Sequence, residues 1–463
     1  MMGRQTAPAK LFYDFDLESH IPADHLLRKV DRFLDLGDIR ARLRPFYSHL
    51  GRPSIDPELV VRMLLIGYLT GIRSERRLCE EVHVNLAHRW FCRLGLDGRV
   101  PDHSTFSKYR HGKFRDSDLL RLVFEGVVAR CIEEGLVGGA GFAVDASLIL
   151  ADVAKMNSSA QAEWDIDAID TQKAPRAVRE YLETLDDAAF GAATPVLPKF
   201  VSHADPASQW TAAQKRPAVF TYSDNYLIDT DNAVILDVEA TRSIRQAEVG
   251  AARTMVDRVE QRFGLKPTWL TADTAYGSAE TLDWVVRAKK IVPFIPVFDK
   301  STRTDGTWSR SDFIWEPEND RYLCPEGHEL LQYRRNYSDP SRGQPKEGRK
   351  KYRAQKSVCQ ACPSKLRCCP NADARFVTRE EHEDVRDLAR ECVASEVYKK
   401  IAGPRRRKVE MLFAHLKRIL GLGRLRLRGP CGAKDEFTLA AIAQNLRKLA
   451  KLRPQMTMME VTV

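Results

Sequence analysis

The stretch Tyr226–Thr241, YLIDTDNAVILDVEAT, decides how the rest of this sequence is read. Two β-rich runs of strand length flank Thr230, Asp231 and Asn232, and Asp and Asn tolerate turn geometry, so the stretch predicts a hairpin. Downstream, apolar residues at helical spacing predict a helix over Gln246–Phe263, closed by Gly264. PTWLTAD then delivers Asp273 at the end of a second apolar run, Tyr276 and Gly277 turn the chain into a predicted helix Ser278–Lys290, and IVPFIPVF adds one more strand. Upstream, Gly138, Gly139 and Gly141 precede GFAVD, a compact apolar run ending at Asp145. Short apolar runs that end in a carboxylate are the expected form of buried strands presenting an acid at their C-terminal edge. The order predicts an α/β fold, a mixed sheet flanked by helices with two Asp residues at strand ends.

Before this sheet the pattern is helical. HLLRKVDRFLDL (His25–Leu36) has helical periodicity, and the segment from Asp56 reads as two or three short helices broken at Gly71 and Gly95. Ser74, Glu75, Arg76 and Arg77 follow Gly71 as a turn and helix start, an arrangement like the helix-turn-helix that enters the major groove, or equally an ordinary helical bundle with exposed Arg. PDHSTFSKYR places Arg110 among hydroxyls and aromatics, as a phosphate contact or a capped helix start. Residues 115–137 read as another helix, and residues 151–215 as a long exposed insertion with one helix around Ala174–Leu185.

Charge is concentrated at the other end. The chain of 463 residues carries 73 Lys+Arg against 63 Asp+Glu, a net charge of +10, and is 43% hydrophobic, enough for two to four packed domains. Between Lys399 and Arg428 eleven basic residues face Glu410 alone, a surplus equal to that of the whole chain. Such a field favours nucleic acid or, as the weaker reading, an anionic membrane surface. No run of about 20 apolar residues occurs and no signal-type core follows the N-terminus, so the expectation is a cytoplasmic protein with no membrane partner.

Within that basic segment, PRRRKVEMLFAHLKRIL (Pro404–Leu420) predicts a helix started by Pro404 and stopped by Gly421 and Gly423. Val409, Leu412, Phe413, Leu416, Ile419 and Leu420 form its apolar stripe. Glu410 lies on the shoulder of the stripe, and Lys417 falls within about 20° of it. By itself Glu410 reads most simply as a surface ion-pair partner. Arg424, Arg426 and Arg428 alternate as in an extended segment laying guanidiniums along phosphates, with a solvated charged loop as the alternative. A last helix is predicted over Phe437–Leu452.

The chain has ten cysteines, which in a reducing cytosol are an unlikely disulfide framework. Cys324 in CPEGH and Cys359, Cys362, Cys368 and Cys369 in CQACPSKLRCC have spacing that suits a small zinc-ribbon-like insert. The expected ligands of a structural zinc are Cys324, Cys359, Cys362 and Cys368, with His328 and Cys369 in reserve. Buried thiols without metal, or a redox pair, are the alternatives.

If the strands of Asp145 and Asp273 are neighbours and the Glu410 helix packs beside them, three carboxylates converge. Such a set repels itself unless cations fill the gap, and hard oxygen ligands suit Mg²⁺ or Mn²⁺. Two ions about 3.5–4 Å apart activate a water or 3′-hydroxyl for in-line attack on phosphorus.

The ordered set HIPADHLLRKVDRF, PDHSTFSKYR, FAVDASLI, SDNYLID, LTADTAYGS, VEMLFAHLKR and LRLRG, spread over nearly the whole chain, resembles the DDE transposases of bacterial insertion sequences, in the branch with a cysteine-bearing insert before the final Glu. The resemblance implies an RNase H-like catalytic domain in which Asp145, Asp273 and Glu410 are catalytic and hold Mg, preceded by an all-α DNA-binding region. It implies a nucleoid-associated bacterial enzyme that cleaves and joins double-stranded DNA at terminal inverted repeats, as a homodimer because two ends must meet. The expected domains are residues 1–137, 138–298 (with the 151–215 insertion), 299–377 for the cysteine insert, and 378–463. Expected DNA contacts are Arg76, Arg77, Arg110, Arg406, Arg407, Lys417, Arg424, Arg426 and Arg428. Relatives surround the last Glu with a Tyr, an Arg and a Lys. Lys417 matches the Lys, Arg406 or Arg407 the Arg, while Tyr398 lies far back, with Gly403 and Pro404 intervening. The alternative reading is a transposition-defective DNA-binding protein or regulator that keeps the fold, and a nuclease without strand transfer is a third.

Overall fold

In the computed structural model, which describes residues 15–48, 50, 53–190, 198–212, 217–298, 305–333 and 349–453, the apolar run before Asp145 opens a ten-residue strand, β1 (Gly141–Leu150). Asp145 therefore sits in the middle of the strand, which corrects the strand-end expectation. In chain order there follow β2 (Ser158–Ala160), β3 (Phe200–Ser202), β4 (Gln209–Thr211), β5 (Val219–Asp229) and β6 (Ile235–Arg242). Residues Phe142–Leu150 of β1 pair antiparallel with Asp229–Thr221 of β5, so Asp145, Ala146 and Ser147 stay in the strand because their backbone groups are satisfied there. The expected hairpin is present, with β5 paired to β6, and β4 extends the same edge of β5.

The chain divides into two compact units, Met1–Lys266 with Arg407–Val463, and Pro267–Arg406. In the first, one face of the β1–β5–β6 sheet receives the basic helix, Gly403–Arg418, through Phe413, whose ring stacks on Tyr226 at 4.8 Å and 19°. The long helix Gly429–Leu452 packs on β6, where Asn445 accepts from the Ile235 N–H at 2.9 Å and donates to its carbonyl at 2.8 Å. This helix begins eight residues before the expected Phe437, with Pro430 in its first turn, where the missing N–H has no helical partner to lose. On the opposite sheet face Asp237 and Glu239 meet Arg258 of the helix Arg245–Phe263, and Asp237 also meets Arg121 of the helix Leu119–Glu133.

Ahead of the sheet, the helix Pro57–Thr70 stops at Gly71, whose φ of +75° suits glycine, and Ser74 caps the next helix, Glu75–Val84, before Leu86–Phe91. Most of the first of these is buried, including Val60, Leu64 and Ile66. The described parts of residues 151–215 are tied in more closely than an exposed insertion: β2 pairs with β3, the helix Arg176–Glu183 packs on the long helix, and buried Asp205 accepts from the Tyr222 hydroxyl at 2.5 Å and the Gly429 N–H at 3.0 Å. Among the described residues no helix is long and apolar enough to cross a membrane.

In the second unit, β7 (Trp269–Thr271) and β8 (Val292–Phe294) pair in parallel, joined through the helical segments Ala279–Asp283 and Trp284–Ala288. A separate antiparallel meander, β9 (Ile314–Glu316), β10 (Arg321–Leu323), β11 (Glu329–Gln332), β12 (Lys350–Ala354) and β13 (Phe376–Arg379), runs in sequential order around Tyr322 and Tyr352, whose rings meet edge to face at 5.4 Å. After the meander come the helix Glu383–Ala394 and the turn Tyr398–Ala402, separated where Ser395 takes an extended conformation, ψ 153°.

Candidate active site

Of the expected apolar stripe on the basic helix, Val409, Leu412, Phe413, Leu416 and Leu420 are buried. Ile419 is exposed, at the edge of the stripe on the shoulder opposite Glu410. Glu410 and Lys417 are both exposed, one turn before and one turn after Phe413. Tyr226, under the Phe413 ring, is the cross-strand partner of Asp145. Asp145 thus stands on the sheet face that the helix covers, half-buried, and its carboxylate accepts the Ala146 N–H at 2.8 Å. Lys408, two residues before Glu410, donates to the carbonyls of Thr230 and Asp231 at 2.8 and 2.7 Å, which pins this part of the helix to the β5–β6 turn.

In the second unit Asp273 lies two residues past the end of β7, half-buried, and opens the turn Thr274–Tyr276 by accepting the Ala275 N–H at 2.8 Å. The next residue that matters is Gly277: a Cβ there would fall 2.0 Å from the Pro296 carbonyl oxygen, so only glycine lets the two backbones approach. The Phe298 N–H donates to the Gly277 carbonyl at 2.8 Å, which holds the loop after Asp273 closed.

Residues 15–112 match a transposase domain, DUF772, and residues 323–450 match a transposase DDE domain. The chain is a DDE transposase of an insertion element. It is accordingly a DNA transposase, a polynucleotidyl transferase, and transposases act on DNA. Glu410 falls within the DDE match, while Asp145 and Asp273 lie outside both matched segments. No curated protein and no solved structure matches the chain.

The basic residues expected to contact DNA in this transposase differ in how they are held. Arg76 and Arg77 are exposed on the Glu75–Val84 helix, Arg77 beside Glu81 at 3.5 Å. Arg110 is only 4% exposed and is paired with Glu75, so its guanidinium faces inward, away from any phosphate. Arg406 is half-buried and Arg407 exposed. Arg424, Arg426 and Arg428 are exposed and alternate with buried Leu425 and half-buried Leu427, as the extended reading requires. Arg424 forms a parallel bridge with Leu150 at the end of β1, and Arg424 and Arg428 both reach Asp152, at 3.3 and 3.2 Å. Sequence reasoning missed what fixes this strip. Glu436, 1% exposed, accepts the N–H groups of Arg426 and Leu427, each at 2.6 Å, and pairs with Arg73. Burial pushes the Glu436 carboxyl upward, and Arg73 with the two amides pulls it back.

Cys324, Cys359, Cys362 and Cys368, with the reserves His328 and Cys369, line one cavity of about 20 Å³ in the meander, room for about one water or ion. CPEGH folds as a tight knuckle: the His328 N–H donates to the Cys324 sulfur at 3.3 Å, and Gly327 supplies a φ of +77°. Burial pushes the Cys368 thiol up to about 12, with the neighbouring Cys369 thiol adding to it. Among the described residues, however, no three His, Cys, Asp or Glu side chains form a group that could hold a metal ion. The thiols share a cavity without converging on a centre.

Proposed function

We propose that the chain binds the terminal inverted repeats of its element and catalyses Mg-dependent strand cleavage and strand transfer by in-line attack on phosphodiesters, acting as a homodimer on double-stranded DNA. In this reading the sheet is RNase H-like, the N-terminal helices form a helix-turn-helix-like DNA-binding region, and Asp145, Asp273 and Glu410 are the metal-holding carboxylates. The observation that carries it is the seating of Phe413 on Tyr226, the strand partner of Asp145. It sets the single acid of a strongly basic segment one helical turn from the ring that covers the Asp145 strand pair. Carboxylate oxygens suit Mg²⁺ or Mn²⁺ by donor chemistry, and Asp145 and Glu410 both keep solvent access. Asp145, Asp273 and Glu410 would hold such ions, whose chemistry when bound would be activation of a water or 3′-hydroxyl and neutralisation of the leaving oxygen.

The chain's own side chains do the positioning. Lys408 and the apolar stripe hold the Glu410 helix down, the Ala275 N–H fixes one oxygen of Asp273, and Lys417 with Arg424, Arg426 and Arg428 receives the polyanion. Arg76, Arg77 and Arg407 are the further exposed contacts.

Asp145→Asn, Asp273→Asn and Glu410→Gln should each reduce Mg²⁺-dependent cleavage of a terminal-repeat duplex by at least about 1,000-fold, with binding of that duplex within a few-fold of wild type. Normal cleavage by any one variant removes that residue from the site. Wild-type protein that binds the repeats and never cleaves them would make the chain a regulator that retains the fold.

For the cysteines, the zinc-ribbon-like reading rests on their spacing and shared cavity. It predicts about one zinc per chain in purified protein, with loss of the fold of the meander on chelation. A fully folded preparation without metal would leave the thiols as core residues.

A further inference from the structure

The sheet face that carries Asp145 holds a second carboxylate that no motif singles out. Asp145 pairs with Tyr226 across the β1–β5 ladder and Ser147 with Asp224, so all four side chains share one face and Asp224 lies diagonal to Asp145. Diagonal neighbours in an antiparallel pair stand about 7–8 Å apart. Asp224 is completely buried, and among the described residues neither of its oxygens has a hydrogen-bond partner. The Tyr226 hydroxyl is beside it, but its one proton goes to Gln444 Oε1 at 3.1 Å. Gln444 is fixed in that sense, because its Nε2 donates to the Leu412 carbonyl at 2.9 Å and its oxygen must then face the tyrosine.

A buried carboxylate with no donor is costly unless a cation meets it. The basic helix supplies one. Phe413 lies over Tyr226, and Lys417 is one turn further along the same helix face, while Asp224 is two residues from Tyr226 on the same strand face. Lys408 sits on Thr230 and Asp231 and Phe413 on Tyr226, so the helix runs toward Asp224; burial pushes the Asp224 carboxyl well above the usual carboxylate range, and the Tyr226 hydroxyl and the Lys417 ammonium pull it back. On the other sheet face buried acids are met by arginine, Asp237 by Arg121 and Arg258. Under the basic helix, by contrast, the buried acid faces a flexible lysine that also reaches solvent.

We infer that Asp224 is a positioning residue of the transposase site, a dry carboxyl beneath the basic helix that ionises against the Lys417 ammonium and so holds it where it receives the scissile phosphate. The inference rests on the proposed cleavage function. Lysine is a compact point charge on a four-carbon stem with three rotatable donors, so a fixed carboxylate below it selects one direction among many. Asp224 itself touches neither DNA nor the metal-holding acids in this assignment. Its effect passes through Lys417 alone.

The test is a double-substitution cycle on the full chain, read by single-turnover cleavage of a terminal-repeat duplex at saturating DNA and across a Mg²⁺ titration. Asp224→Asn should slow cleavage about 10- to 100-fold, the scale of a misplaced charge, with the half-saturating Mg²⁺ concentration unchanged. In a Lys417→Ala background the same substitution should have no further effect, since there is no ammonium left to place. Additive losses, or a shift in half-saturating Mg²⁺ that would make Asp224 a metal ligand, overturn the inference. If Asp224→Asn does not fold alone, the coupling is read in urea. Lys417→Ala should lower the midpoint by stranding the carboxylate, and adding Asp224→Asn should restore it. Absence of that rescue also overturns the inference. The wild-type chain separates the two levels: cleavage by wild type beside a fully active Asp224→Asn defeats only the inference, whereas wild-type protein that binds the repeats and never cleaves them defeats the proposed function beneath it.

Discussion

The two faces of one sheet handle buried acid in opposite ways. Toward the helices Leu119–Glu133 and Arg245–Phe263, Asp237 is paired with Arg121 and with Arg258 at 3.0 Å, Glu239 takes Arg258 as well, and Glu125 ties Arg121 at 3.1 Å to Arg262 at 2.6 Å. These three acids each have a guanidinium. Toward the basic helix, Asp145 keeps solvent access, and Asp224 has no hydrogen-bond partner among the described residues. Both faces are equally part of the core architecture, so the contrast is one of use. Charge neutralised by planar arginine forks is committed to holding the fold, whereas charge left beside lysine and solvent remains available to a ligand.

The strongest way to break that contrast is to exchange the two kinds of loss. Asp145→Asn is expected to remove cleavage by about 1,000-fold or more while leaving the urea midpoint near wild type. Asp237→Ala should do the reverse, lowering unfolding free energy by about 3–5 kcal/mol because Arg121 and Arg258 lose their buried partner. Its cleavage rate per folded molecule should be close to normal. Equal stability losses from both would erase the distinction.

A smaller effect sharpens it. Asp205 is buried on the side of Tyr222, and burial pushes its carboxyl up to about 6, against which the Tyr222 hydroxyl and the Gly429 N–H pull it down. The folded state then holds this proton more tightly than the unfolded chain. Its contribution is fully present below the unfolded value near 4, and it is lost as pH rises through about 6. A shift of about two units corresponds to about 3 kcal/mol. Unfolding free energy of Asp205→Asn should lack this fall between pH 4 and 6, seen by subtracting its urea-derived pH profile from that of wild type. Parallel profiles would mean that the two donors fully offset the burial.

Much of the fold was legible because its signals are local. The Asp and Asn turn between β5 and β6, the glycine stop after Phe263 and the apolar stripe at Val409, Phe413 and Leu416 each follow from backbone preference or helical spacing. What was not legible depended on partners distant in sequence. Ser223, Asp224 and Asn225 look like a loop, yet they lie in the middle of the eleven-residue β5. Asn225 is tolerable there only because its amide donates to the Glu239 carbonyl and the Thr241 hydroxyl at 2.9 and 3.0 Å, and Ser223 because its hydroxyl meets Glu248 at 2.5 Å. The same blindness affected Arg110. Its surroundings in sequence are polar and basic, and nothing local reveals that Glu75, thirty-five residues earlier, turns it inward. Asp145, Asp273 and Glu410 stood out as candidates by the company of their neighbours, but Asp224 gave no such signal.

Glu436 has one further consequence. By gripping the backbone amides of Arg426 and Leu427 and the side chain of Arg73, it sets the course of the Arg424–Arg428 strip without touching the outward guanidiniums of that strip. Shape and lettering are thereby separated: the outward residues are open to exchange as an element's ends drift, while the track that carries them stays where it is.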